Sequence, residues 1–194
     1  MSVFDEEKID CHCHVFDPMR FPYRDDTAYR PAQQEVGTAA QFVRVMDAYG
    51  VRHALLVGPT SGYRTDNRCL LDALETYDAR LRGIAVVDDG IGRGELAALR
   101  RAGVVGVAFN PAMEGIDLVL GAGALFGMLA DLGMVAQIQA AGDQMTALGP
   151  WLARQPAAIV VDHCGRMFET LVPDAKLRRQ IQWETPRRLF GFDA

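Results

Sequence analysis

The sequence predicts an α/β fold of about six parallel strand–helix units, and three observations carry that expectation. Short apolar runs alternate with longer segments of helical periodicity along most of the chain. The runs are rich in Val and Ile at consecutive positions, as parallel strands are when both faces are covered. Most helical segments end near Gly or Pro and lead straight into the next run, as right-handed β-α-β crossovers require.

The candidate strands are Lys8–Val15, His53–Gly58, Leu81–Asp88, Val104–Asn110, Val135–Ala140 and Ile159–His163. Between them, Val36–Tyr49 carries Phe42, Val45, Met46 and Tyr49 at helical spacing and stops at Gly50. Asp66–Ala79 repeats the pattern with Leu70, Leu71, Leu74 and Tyr77, and Thr65 is its expected N-cap. Glu95–Ala102, Ala122–Leu132 and Asp143–Arg154 complete the alternation, and Pro173–Gln182 reads as a C-terminal helix. The one long irregular connection is Asp17–Glu35, with Pro18, Pro22, Pro31 and three aromatics. Its composition suits a surface flap and a functional loop equally. A closed (β/α)8 barrel has eight strands and takes ~250 residues. This chain has 194, so a TIM-barrel-like but incomplete fold is expected. Strands one and six would then be open edges, which a different closure or a second copy must cover. A homo-oligomer is the partner state that follows.

The composition, 49% hydrophobic and 23% charged, is that of a folded globular protein, and the length suits one domain. A net charge of −5 argues against a non-specific nucleic-acid binder, which needs a basic face. No run approaches the ~20 apolar residues that span a bilayer, so no membrane partner is expected. The opening Met-Ser-Val-Phe-Asp-Glu-Glu-Lys has neither the basic start nor the apolar run of a signal peptide. Cys11, Cys13, Cys69 and Cys164 are too few and too irregular for a disulfide scaffold. Reduced thiols and a cytoplasmic location are therefore expected.

The chemistry concentrates at strand ends. His12 and His14 are two residues apart in the first strand, so both imidazoles should face one side, with Cys11 and Cys13 on the other. At the C-terminal end of a barrel strand they would face the mouth. There they could ligate a metal or hydrogen-bond a substrate carbonyl. His163 ends the sixth strand on the same layer, and Arg166 follows with a guanidinium suited to a carboxylate. Asp162 is near the rim, but alternation relative to His163 turns it away. His53 begins its strand and reads as structural. Gln137 and Gln139 share a face of the fifth strand, where an amide can orient a substrate but makes a poor transition-metal ligand.

Asp10-Cys11-His12-Cys13-His14-Val15-Phe16-Asp17-Pro18, Phe21-Pro22-Tyr23 and Tyr29-Arg30-Pro31 closely resemble the start of the amidohydrolase-2 branch of the amidohydrolase superfamily, in particular its pyrone-dicarboxylate-lactonase-like group. Thr65-Asp66-Asn67, Gly106–Asn110, Asp162-His163-Cys164-Gly165-Arg166 and the tail Glu184–Phe192 match later signposts in order. The resemblance implies that residues 1–194 form one amidohydrolase-like barrel domain. It implies a hydrolase that opens a lactone or related cyclic ester of a small organic acid. His12, His14 and His163 would be its catalytic group, and Tyr29, Arg166, Asn110, Gln137 and Gln139 its substrate contacts. The lactonase-like members imply no tightly held metal. The alternative is a zinc-dependent hydrolase or decarboxylase with His12, His14 and His163 on the ion.

Two departures qualify this. Where dicarboxylate lactonases take arginines from the fourth strand and its loop, this chain has Ala108 and Glu114, so a less charged lactone is expected. The family's late Gly-Thr/Ser-Asp-Trp-Pro-like motif, which holds its catalytic aspartate, has no counterpart. The chain passes to the tail as though an internal segment after Arg166 were absent. That leaves a third reading, a non-catalytic barrel fragment that binds a small ligand or a partner chain.

Overall fold

The computed structural model describes residues 6–162 and 174–192. Six strands pair in chain order: β1 (Lys8–Cys13), β2 (Val51–Val57), β3 (Leu81–Ala85), β4 (Val104–Phe109), β5 (Val135–Ile138) and β6 (Ala158–Val161). Every pair is parallel. The connections carry α1 (Ala39–Ala48), α2 (Arg68–Thr76), α3 (Arg93–Arg101), α4 (Pro111–Glu114), α5 (Asp117–Gly121), α6 (Gly123–Asp131) and α7 (Gln144–Leu152). This is the expected incomplete TIM-barrel-like fold, a curled half-barrel.

Local chemistry sets the boundaries. Thr38 caps α1 by accepting from the Gln41 backbone N–H, while Gln41 Oε1 accepts from Thr38 N at 2.8 Å, a reciprocal capping box. The cap of α2 is Asn67, not the expected Thr65. The Asn67 side chain is engaged elsewhere: Nδ2 donates to Val86 O at 2.8 Å and Oδ1 accepts from Val86 N at 3.2 Å. It thereby stitches the loop after β2 to the end of β3.

The sheet has two apolar layers. Its convex face packs on the helices through Leu56, Leu81, Val107, Ile138, Phe126 and Leu129 among others. Its concave face carries Ile9, Leu55, Val57, Ile84, Val105 and Val135, covered by Trp183, Phe190 and Phe192. These three come from the C-terminal segment: α8 (Ala175–Arg179), a π-helical turn (Gln180–Glu184) and α9 (Thr185–Phe190). Arg178 Nη2 pairs with Glu6 Oε1 at 2.8 Å and ties this segment to the start of β1. The curled sheet is thus closed on its concave side by a helical plug. His53, near the start of β2, belongs to that plug as a structural residue. Its ring stacks on Phe192 at 4.7 Å and lies 5.7 Å from Trp183. Burial, opposed by a hydrogen bond to the Ala79 backbone, pushes its pKa down and favours the neutral ring.

Gly106 sits where the concave face is tightest. A Cβ there would lie 2.5 Å from Val135 Cγ2, 2.6 Å from Val135 O and 2.7 Å from Ile84 Cδ1. The carbonyl is held by the β4–β5 ladder and cannot retreat. Gly106→Ala is therefore expected to destabilise the fold by ~1–3 kcal/mol, the usual cost of overpacking. A urea midpoint within error of the parent would show that the sheet can spread. No helix among the described residues is long and apolar enough to cross a membrane.

Candidate active site

The site is built where β1 ends. Asp10 Oδ1 accepts the backbone N–H of His12 at 3.1 Å, and the β1–β2 register shifts between Asp10 and Cys13. This irregularity corrects one expectation from simple alternation. Cys11 packs against the concave cluster and Cys13 against the convex one, so the two thiols do not share a face. Burial pushes the Cys11 thiol up to about 12, with the Asp10 carboxylate adding to the effect, and raises Cys13 as well. Neither is a thiolate nucleophile near neutrality.

His12 and His14 do converge. Their Nε2 atoms are 3.1 Å apart and their rings meet edge to face. His14 Nδ1 bonds the Val57 carbonyl at 2.8 Å, and a carbonyl only accepts, so this nitrogen carries a proton. His12 Nδ1 lies 2.6 Å from Asp162 Oδ1. Asp162 is itself only 6% exposed, and Gln137 Nε2 donates to the same oxygen at 3.1 Å. With both Nδ1 atoms donating, the two Nε2 atoms are left as acceptors that face each other across 3.1 Å.

Asp162 corrects a second expectation, that it turns away from the pocket. Val160 is in register with Gln137 and packs on the concave cluster. Parallel partners share a face, so Asp162, two residues on, falls on the concave side too. Its backbone N–H extends the ladder to Ile138 O at 3.1 Å. Counting from the sheet register finds this residue; counting back from His163 loses it.

A cavity of about 170 Å³ opens above these groups, lined by His14, Thr60, Asn110, Gln137, Gln139 and Asp162 among others. His12 stands behind that lining, bonded to His14 and Asp162. Asn110 is positioned by accepting from Met113 N at 3.2 Å, which caps α4. Gln137 is 1% exposed, and its Oε1 has no hydrogen-bond partner among the described residues. Tyr29 is placed elsewhere: it is exposed, its hydroxyl donates to Glu35, and it does not line this cavity. His163 and Arg166 lie outside the described residues. Thr60 and Ser61, in the loop after β2, line the cavity without having been singled out by sequence. Nothing in that short Gly-Pro-Thr-Ser stretch distinguishes a lining residue from an ordinary turn.

Residues 9–172 match the sequence profile of the amidohydrolase family. The chain belongs to the amidohydrolase family. Among curated relatives of this amidohydrolase, a 2-pyrone-4,6-dicarboxylate hydrolase of Comamonas testosteroni is 32% identical over 161 residues, covering 81% of this chain and 52% of its own length. A 4-sulfomuconolactone hydrolase of Rhizobium radiobacter is 30% identical over 169 residues, covering 81% and 53%. A crystal structure of a probable 2-pyrone-4,6-dicarboxylic acid hydrolase of Acinetobacter baumannii superposes with a TM-score of 0.68 at 29% identity, over 80% of this chain and 58% of that one. The amidohydrolase chain thus spans about half the length of the curated relatives it matches.

The donor set can be weighed against a divalent ion. The 3.1 Å between the two Nε2 atoms is near the about 3.3 Å between adjacent ligands of a tetrahedral zinc. Both Nδ1 atoms are anchored as those of metal-bound imidazoles usually are. The third histidine of such a set, His163, lies outside the described residues. Among the described residues no three His, Cys, Asp or Glu side chains come together as a metal group.

Proposed function

We propose that this amidohydrolase chain hydrolyses a lactone or related cyclic ester of a small organic acid. The observation that carries the reading is the buried Asp162–His12 contact, set beside His14 at the mouth of the half-barrel. The two relatives named as hydrolases of a pyrone dicarboxylate and of a sulfomuconolactone support the substrate class.

The chemistry follows from the hydrogen bonds. Water in the cavity gives a proton to the histidine pair as its oxygen attacks the ring carbonyl. Asp162 stabilises the imidazolium through His12 Nδ1. The protonated pair then returns the proton to the ring oxygen as the C–O bond breaks, yielding an open hydroxy acid or its keto form.

A second reading has its own observation, the ligand-like spacing of the two Nε2 atoms. In that case His12 and His14 would hold a divalent ion that lowers the pKa of water. One experiment addresses both. The purified chain is incubated with a panel of pyrone and muconolactone esters, with and without prior chelation, and ring opening is followed by loss of ring absorbance. Turnover above background that survives chelation is the expected result. Loss on chelation with recovery on zinc addition would favour the metal reading. Lactone binding with no product would sink the hydrolase in favour of a ligand-binding fragment.

A further inference from the structure

The cavity above His14 is not isolated. A second one of about 160 Å³ adjoins it through Thr60, Ala108 and Phe109, and reaches out to Arg64, Glu114, Asp88 and Asp89. Either compartment alone is small against the ~300–1,000 Å³ of an ordinary ligand site. A substituted ring seated by the histidines and larger than the first compartment would extend towards the second, where Arg64 lies.

Among the described residues lining the two cavities, Arg64 is the one Lys or Arg, and the chain holds it in an unusual way. Its φ is +50°, a left-handed conformation uncommon for a residue with a Cβ. The turn is closed by Arg64 N donating to Pro59 O at 3.1 Å. The loop around it is fastened on three sides. Gly62, at φ +73°, donates to Tyr29 O and Thr27 Oγ1. Arg24 N donates to Gly62 O. The buried Tyr63 takes the Asp17 N–H on its hydroxyl at 3.0 Å. A Cβ at Gly62 would sit 2.8 Å from the Tyr23 ring, so the long 17–35 connection is packed directly onto this turn. The left-handed residue is thus the rigid end of a braced loop.

The guanidinium is only loosely engaged. Its nearest carboxylate is Glu114 Oε1, at 4.0 Å across the mouth, with both side chains well exposed. Such a pair contributes little by itself, and the guanidinium keeps donors in the planar fork that fits a carboxylate bidentately. Asp88, Asp89 and Glu114 make the rest of that rim acidic. One anionic group can be received at Arg64; a second at this rim would face carboxylates.

The geometry points to Arg64 as the specificity-determining residue of this site, receiving the single carboxylate of a monoanionic lactone whose ring lies against His14. This deepens the lactone-hydrolase reading and rests on it. The cation that sequence comparison misses at Ala108 and Glu114 is supplied from the loop after β2. Glu114 meanwhile selects against a second charge.

Isothermal titration of the full chain with neutral 2-pyrone, a 2-pyrone monocarboxylate and a 2-pyrone dicarboxylate tests this, on the parent and on Arg64→Gln, Arg64→Lys and Glu114→Gln. The parent is expected to bind the monocarboxylate at least tenfold more tightly than either other ligand. Arg64→Gln erases that preference while leaving the Kd for neutral pyrone unchanged, and Arg64→Lys keeps part of it. Glu114→Gln raises affinity for the dicarboxylate. Retention of the monocarboxylate preference in Arg64→Gln, or tightest binding of the dicarboxylate by the parent, would overturn the proposal and leave the lactone reading standing. If no variant binds any lactone, both fall together.

Discussion

Asp162→Asn is expected to lower the proposed lactone hydrolysis by ~10²–10⁴-fold, the range of a positioned acid–base group, while leaving the melting temperature and lactone Kd close to the parent's. Asparagine keeps the shape and can still accept from His12 Nδ1. What it loses is the negative charge that offsets an imidazolium as His12 takes up a proton. The carboxylate is 2.6 Å from Nδ1 and almost out of water, where solvent screens little of that charge. His12→Gln should fall in the same range, and the double variant should fall little further, because groups acting as one unit are not additive. Ring opening by Asp162→Asn within threefold of the parent would remove Asp162 from the mechanism. Additive losses in the double variant would separate it from His12.

That carboxylate is the part of the site least legible in the sequence. The β/α order was plain, since covered parallel strands declare themselves as apolar runs. Residues fixed by strand periodicity came out together: His12 with His14, and Gln137 with Gln139, in one constellation at the mouth. Where periodicity is broken, simple alternation misplaces side chains. The β1 irregularity puts Cys11 and Cys13 on different faces. The facing of Asp162 depends on which residue of β5 it pairs beside, and no single strand encodes a register. Tyr29 shows the limit for loops. It stands in a recognisable Tyr-Arg-Pro signpost, yet its hydroxyl is turned to Glu35 within its own segment. The C-terminal plug was invisible for a related reason. Trp183 and Phe190 are seven residues apart and share a helix face, but only the curvature of the sheet supplies the apolar surface that makes them, with Phe192, core.

That plug carries the largest stability effect. Trp183 is 7% exposed and joins Ile9 of β1, Val135 of β5 and the Phe190–Phe192 pair in one cluster. Truncating a buried Trp to Ala costs ~3–5 kcal/mol through lost transfer energy and the cavity left behind. Set against the ~5–15 kcal/mol that holds a domain together, this is a large fraction. At ~2–4 °C per kcal/mol for a chain of this size, Trp183→Ala should melt about 10 °C below the parent, and Trp183→Phe should recover much of the difference. The consequence reaches the active site along β1, which holds Ile9 against the plug and His12 and His14 at the mouth. Near its lowered midpoint, Trp183→Ala should lose lactone binding in step with its unfolding signal, because β1 cannot leave the plug and keep both imidazoles in place. A variant that loses the plug's packing at less than 2 °C of melting temperature would show that the six strands are stable without it.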